Sequence, residues 1–291
     1  MAQNETINTD KKTDLNDAAE PYIPKMNLEY PEKPDEHMVP FKITRDVTVD
    51  ENYPFLEKTF SFRFMRRLMH LGIYVLVFTL SPLRFGLKIE GRKILRKNRK
   101  LLKNGAMTVS NHIHRWDFLF VLQGVRYRMM YFPVWKEQLK GPDMDFIRLA
   151  GGIPVPDDIR TIRSFNQAFD ELHEKKIWVH AFPESSRFDY FQPIRPFKKG
   201  VFTMAHRYNM PVIPMSFSYR EPGFPVSFFN KLRAKKGKPE IPGITLRIGE
   251  PLLFDAALGR KESVLKMRED CHQAIVRLAG IRNNIYPAEG D

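Results

Sequence analysis

Between Lys88 and Leu278 short apolar runs alternate with stripes at helical spacing, and this alternation constrains the fold more than any other feature of the chain. Lys88 to Glu90, Ala106 to Ser110, Ile177 to Phe182 and Val212 to Ser218 read as strands. Ile244, Leu246 and Ile248 alternate with Thr245 and Arg247, as in a half-buried strand. Phe165, Ala168, Phe169 and Leu172 recur three and four residues apart, and Val264, Met267, Cys271, Ile275 and Leu278 form a second stripe. Each stripe predicts a helix with one buried face. Strands separated by helices predict an α/β fold, a mixed sheet flanked by helices. A chain of 291 residues, 43% of them hydrophobic, is long enough to bury one full core.

The segment ahead of this region has a different character. Residues 1–57 are rich in Asp, Glu, Asn, Thr and Pro and lack periodicity, which predicts a polar acidic arm, largely disordered. Tyr30-Pro31-Glu32-Lys33-Pro34 cannot continue a helix, because proline lacks the N–H and clashes with the preceding turn. Residues 58–87 read as a hydrophobic membrane-associating segment, and residues 88–291 as the folded body. The longest apolar run, Leu68 to Leu83, has 16 residues without Asp, Glu, Lys or Arg, short of the ~20 that a spanning helix needs.

Charge is unevenly spread. The chain carries +13, but residues 1–60 hold 13 acidic and 7 basic side chains, so the remainder carries +19. Arg84 to Lys103 holds nine basic residues against Glu90. Such a field attracts phospholipid head groups, CoA phosphates, an acidic carrier protein or nucleic acid. With no recognisable module to organise it, nucleic-acid binding is not expected. Arg63, Arg66 and Arg67 precede the apolar run and the basic stretch follows it, which predicts a helix lying in or dipping into an anionic cytoplasmic leaflet. A buried core helix is the alternative. The protein is therefore expected at the cytoplasmic face of the membrane, peripheral or monotopic. The acidic N-terminus has no basic and apolar regions of a secretory signal. The single cysteine, Cys271, rules out an internal disulfide and falls on an apolar stripe, as a core residue would.

His112 and Asp117 follow the run Ala106 to Ser110 and precede Phe118-Leu119-Phe120-Val121-Leu122. Residues five apart do not share a helix face, so the imidazole must meet the carboxylate across a strand-to-helix turn. A carboxylate on one ring nitrogen fixes the tautomer and leaves the other free to take a proton. Backbone N–H groups at the start of the following helix are candidates to hold an oxyanion.

Here the chain resembles the glycerolipid acyltransferases, and within them the 1-acylglycerol-3-phosphate acyltransferases. Asn111 and His112-x4-Asp117 match the family's H-x4-D motif, and Phe182-Pro183-Glu184-Ser185-Ser186-Arg187 resembles its F-P-E-G-T-R box. Lys136 with Leu139, the segment Gly151-Gly152-Ile153-Pro154-Val155, and Val212-Ile213-Pro214-Met215 resemble the remaining blocks, in the family's order. The resemblance implies a glycerol-3-phosphate acyltransferase-like fold over residues 88–291. It implies transfer of a fatty acyl group from acyl-CoA or acyl carrier protein to the sn-2 hydroxyl of lysophosphatidic acid, giving phosphatidic acid, with no metal or redox cofactor. His112 and Asp117 are then catalytic. Glu184, Arg187, Ser185, Ser186, Lys136 and Pro214 line the substrate site, with Arg187, assisted by Glu184, positioning the acceptor phosphate. Ser185 and Ser186 replace the box's Gly and Thr, and Pro156-Asp157-Asp158 stands where many members carry an Arg. These departures leave open another lysophospholipid or lipid acceptor.

Two other classes compete. His112, His114, His180 and His206 would suit a metal-dependent hydrolase if they converged with an acid. A non-catalytic binder of anionic lipid would need only the basic surface. No G-x-S-x-G elbow supports a serine hydrolase.

Overall fold

A computed structural model of the protein describes residues 21–24, 26–38, 40 and 42–289. The strands form largely where the apolar runs predict them. β1 (Lys88–Glu90), β2 (Met107–Ser110), β3 (Met130–Trp135), β4 (Gly152–Val155), β5 (Trp178–Ala181), β6 (Val212–Arg220) and β7 (Gly243–Ile248) lie in the order β1-β7-β6-β2-β5-β3-β4. The five from β6 to β4 are mutually parallel. β7 pairs antiparallel with β6 and parallel with β1, so the sheet is mixed.

Helices cover both faces. They are α1 (Phe60–Phe85), α2 (Arg92–Lys97), α3 (Asp117–Gly124), α4 (Met144–Ala150), α5 (Ile159–Glu174), α6 (Gly200–Arg207), α7 (Val226–Ala234) and α8 (Arg260–Ala279). One core joins α1 and α3 to the sheet through Ile73, Val77, Phe120, Leu122, Ile213, Phe217 and Leu246. The opposite core joins α5, α6 and α8 to Met107, Val109, Val179 and Val212 through Phe169, Phe202, Met267 and Cys271. Successive strand residues point to opposite faces, which is why Val212 and Ile213 of β6 serve different cores. The connection from β2 leads toward β3, and the one from β5 crosses back to β6. The crevice at the carboxyl end of β2 is thus a topological switch point, where open α/β sheets bind ligands.

Three expectations are corrected. β3 and β4 escape the pattern because Pro133 and Pro154 interrupt them; proline removes a ladder donor and weakens the strand signal. Gly152 opens β4 beside α4, where a Cβ would come 2.5 Å from Ile147 Cγ2.

The arm is the second. Residues 1–20 lie outside the described part, but from Tyr30 onward the chain is laid against the folded body. The Tyr30 ring lies 4.9 Å from that of Phe191 and its hydroxyl donates to the Asp189 carbonyl at 3.0 Å. Asp35 pairs with Lys198 at 2.8 Å, the Thr44 and Arg45 N–H groups both donate to the Lys140 carbonyl, and Phe55 is buried. Such anchors are single residues spaced many positions apart and leave no periodic trace.

The third concerns the apolar run. It belongs to a 26-residue helix, about 39 Å long at 1.5 Å per residue, long and apolar enough to cross a membrane. Only Arg66, Ile73, Val77, Ser81 and Phe85 of α1 are buried. Leu68, Leu71, Val75, Leu76 and Phe78 are half or more exposed, so the core-helix alternative does not hold.

Candidate active site

β2 delivers Asn111 and His112 to the carboxyl edge of the sheet. Asn111 is fully buried and copies a strand pairing: its Nδ2 donates to the Phe217 carbonyl at 2.9 Å, and its Oδ1 accepts from the Phe217 N–H at 2.8 Å. The chain can therefore leave the ladder at Asn111 without orphaning Phe217, and it turns immediately into α3. Inside the turn Asp117 Oδ2 gathers three donors: His112 Nδ1 at 2.9 Å, and the Ile113 and His114 N–H groups at 2.8 Å each. An ionised carboxylate only accepts, so Nδ1 carries the proton and Nε2 is left to act as a base.

Burial decides the charge states. The Asp117 side chain has no exposed surface, while 18% of the His112 side chain remains accessible. Burial first, then the Arg187 and Arg195 guanidinium charges, hold His112 well below the usual imidazole value. At neutral pH the ring is uncharged and ready to take a proton. Burial lifts the Asp117 carboxyl, and the His114 and Ile113 N–H bonds act against it. Phe182 stacks on the His112 ring at 4.0 Å between centroids and fixes its plane.

The turn after β5 supplies the second half of the site. Glu184 is buried. Its Oε2 accepts from the His112 N–H at 2.8 Å and from Arg195 Nη2 at 2.9 Å, and its Oε1 accepts from the Arg195 N–H at 2.9 Å. Glu184 thus anchors the backbone of His112. Its ion-pair partner is Arg195, not Arg187. Arg195 also donates to the Ser186 hydroxyl and carbonyl, both at 2.6 Å, and to the Pro34 carbonyl at 2.7 Å, and stacks over Phe188. Sequence reasoning missed Arg195. A charge in Pro193-Ile194-Arg195-Pro196 has no periodic signature, and only the tertiary fold shows it to be buried.

Arg187 pairs instead with Asp189 at 2.8 Å, both about seven-tenths buried. Ser185 occupies the left-handed region at φ 61, a conformation that glycine adopts without cost. Its carbonyl accepts from Trp135 Nε1 at 2.7 Å. The substitution of the family's glycine therefore falls on the one backbone position of this box that favours glycine.

Residues 86–218 match the family model described as Acyltransferase. This region, a little under half of the chain, is similar to an acyltransferase domain. A Schizosaccharomyces pombe protein described as an uncharacterized acyltransferase is 28% identical over 165 residues, 54% of this chain. The match spans only 56% of that relative. The crystal structure of the 1-acyl-sn-glycerophosphate (LPA) acyltransferase PlsC from Thermotoga maritima is similar over 77% of this chain and 85% of that one, at 21% identity and a TM-score of 0.48.

Within the matched region the remaining expected residues separate. Lys136 pairs with Asp157, two residues past the Gly-Ile-Pro-Val segment. Pro214 is buried in β6 opposite Val109, where the antiparallel ladder with β7 gives way and only the Gly249 N–H reaches its carbonyl. It shapes the sheet beneath the candidate site, opposite a residue three positions before His112. The amides expected to hold an oxyanion are largely engaged. Those of Ile113 and His114 serve Asp117, that of Asp117 donates to the His114 carbonyl, and that of Trp116 to His114 Nδ1. His180 sits inside β5 between Thr108 and Ser110, and His206 packs on Phe254. Among the described residues no three His, Cys, Asp or Glu side chains converge as metal ligands.

Proposed function

We propose that the protein transfers a fatty acyl group from a thioester, acyl-CoA or acyl carrier protein, to the sn-2 hydroxyl of lysophosphatidic acid or a close lysophospholipid, forming phosphatidic acid or its analogue. The observation that carries this is the buried Asp117 holding a neutral, partly accessible His112 at the carboxyl edge of β2. His112 Nε2 takes the acceptor's hydroxyl proton as that oxygen attacks the thioester carbonyl. The C–S bond then breaks and the proton passes to the departing thiolate. Asp117 orients the imidazole and stabilises the imidazolium that forms. Glu184 and Arg195 hold the backbone from which His112 projects, and Ser185 and Ser186 shape the loop that carries Arg187. Arg187 has the planar donor fork that suits the acceptor phosphate, and Lys136, paired with Asp157, is a further cation of the proposed substrate site. The exposed face of α1 suits contact with an anionic membrane surface.

The test is a panel of lysophospholipids with an acyl-CoA donor, scored by product mass. His112→Ala is expected to lose about 10²–10⁴ in rate, while His114→Ala, which lacks the paired carboxylate, keeps most of it. Equal losses in both variants, or thiol release with no acylated lipid from any acceptor, would sink the reading.

A further inference from the structure

α7 and the segments flanking it have no part in the chemistry above, yet they present an unusual surface. Val226 and Asn230 form the inner face of α7: Val226 is buried, and Asn230 clamps the returning chain by donating to the Ile241 carbonyl at 2.9 Å and accepting from the Ile241 N–H at 3.0 Å. With that face fixed, helical spacing sends Phe228, Phe229 and Leu232 outward. They are 53%, 45% and 45% exposed, and Phe224 before the helix is 86% exposed. From Phe224 to Lys238 the chain carries Lys231, Arg233, Lys235, Lys236 and Lys238 and no acid.

This surface continues the bare face of α1. The two helices touch, and the Arg220 guanidinium at the end of β6 donates to the Gly86 carbonyl at the end of α1. Both elements reach the catalytic edge. α7 follows the carboxyl end of β6, which runs parallel to β2. Phe85 closes α1 with its ring 5.1 Å from that of His114. The charges of Arg84 and Arg233 both act on Tyr190, whose ring neighbours His114.

We infer that Phe224 to Lys238 is a second membrane anchor, its aromatic side chains entering an anionic bilayer while its cations meet lipid phosphates. A protein partner would bring acids or a rim of mixed polarity. Four exposed apolar side chains with five cations in one 15-residue segment are instead the composition that suits an anionic lipid interface. With α1 as one support and α7 as the other, the domain cannot roll about the α1 axis. The opening at His112 is then held at the depth where a lysolipid's glycerol lies. This last step rests on the proposed lipid acceptor; the docking does not.

The experiment labels the full-length protein at Phe228→Cys with an environment-sensitive fluorophore. Native Cys271 is buried, with its thiol raised beyond easy reaction, so labelling is selective. The expected result is a blue shift and brightening on phosphatidylcholine vesicles containing phosphatidylglycerol. A label at Lys266→Cys, on exposed α8, should stay silent. The variant Lys231→Gln/Arg233→Gln/Lys235→Gln should bind the anionic vesicles about fivefold more weakly for each charge removed. Circular dichroism and turnover of a water-soluble short-chain acceptor should stay unchanged. A silent Phe228→Cys label beside a responsive Leu76→Cys label would overturn the inference, as would undiminished binding by the triple variant. A Phe228→Cys signal that grows with protein concentration in the absence of vesicles would also overturn it, in favour of a second copy covering the face. An enzyme that docks as described but acylates no lysophospholipid refutes the proposed function alone.

Discussion

Replacing Arg195 with Met should cost far more stability than its distance from the reacting atoms suggests, and replacing its partner as well should restore part of the loss. Arg195 and Glu184 are each about 1% exposed in their side chains and form an ion pair at 2.9 Å. Burial pushes Glu184 up, and Arg195 with the N–H donors of Arg195 and His112 acts against it. Arg195→Met strands a buried carboxylate, a change worth about 3–5 kcal/mol, and it deprives two oxygens of Ser186 and one of Pro34 of a donor. At roughly 2–4 °C per kcal/mol, Tm should drop by roughly 6–20 °C. In Arg195→Met/Glu184→Gln no charge is stranded and glutamine still offers an oxygen to the His112 N–H. The double variant should recover about 1–3 kcal/mol relative to additivity. Thermal unfolding by circular dichroism on the four proteins closes the cycle, and thioester turnover on the same samples reports whether the base stays in place. Additive losses, or an Arg195→Met protein as stable as the parent, would refute the claim that this pair holds the His112 turn.

Other outcomes follow from the same geometry. Arg187→Ala removes a charge-assisted contact of about 1.5–3 kcal/mol and should lower kcat/KM for the lysophospholipid roughly 10- to 150-fold with the donor KM unchanged; a collapse of donor affinity instead would assign Arg187 to the donor. Ser185→Gly relieves a left-handed residue at a cost in chain entropy, so stability should rise by up to about 1 kcal/mol, and a clear fall in Tm would show that the Ser185 hydroxyl, which donates to the Glu184 carbonyl, matters more. Burial pulls His114 and His180 down to about 3, whereas both titrate near 6.5 when unfolded. The unfolded chain therefore binds protons first, and stability should be complete above about pH 6.5 and fall as pH drops below it, by at most about 1.4 kcal/mol per pH unit for each ring. Urea titrations across this range check it; stability that is flat down to pH 4 would contradict it. His112, also depressed, should keep kcat/KM level past about pH 6.5 on the acid side, and an acid limb at or above that value would show that burial does not govern the base.

The legible part of this molecule is the part built on periodicity. The stripes of α5 and α8 and the runs of β2, β5 and β6 announce themselves, because burying one face of a helix or both faces of a central strand demands apolar residues at fixed intervals. His112 and Asp117 are legible for a different reason: a five-residue spacing between a strand and a helix restricts the turn that joins them. Arg195 could not be read this way, since its partner Glu184 lies eleven residues back across irregular chain. Nor does the sequence show that Glu184 pairs with Arg195 and Arg187 with Asp189. Proximity in sequence says little about which charge a loop turns inward. For the described part of the arm, composition does not register a tyrosine ring here and a carbonyl there placed against a preformed surface.

That arm ties the two ends of a long delay. Pro34 and Tyr30 are made early, but their partners Arg195 and Asp189 lie 161 and 159 residues further along. As synthesis proceeds from the N-terminus, the arm must wait unattached while most of the sheet is made. Contacts between such distant residues also carry a large loop-closure cost and come late in folding. The loop that holds the His112 backbone therefore receives its last donor–acceptor contacts from Tyr30 and Pro34. Opening of that stretch from the native state would loosen the His112 turn through Arg195 and Glu184 without disturbing the sheet below.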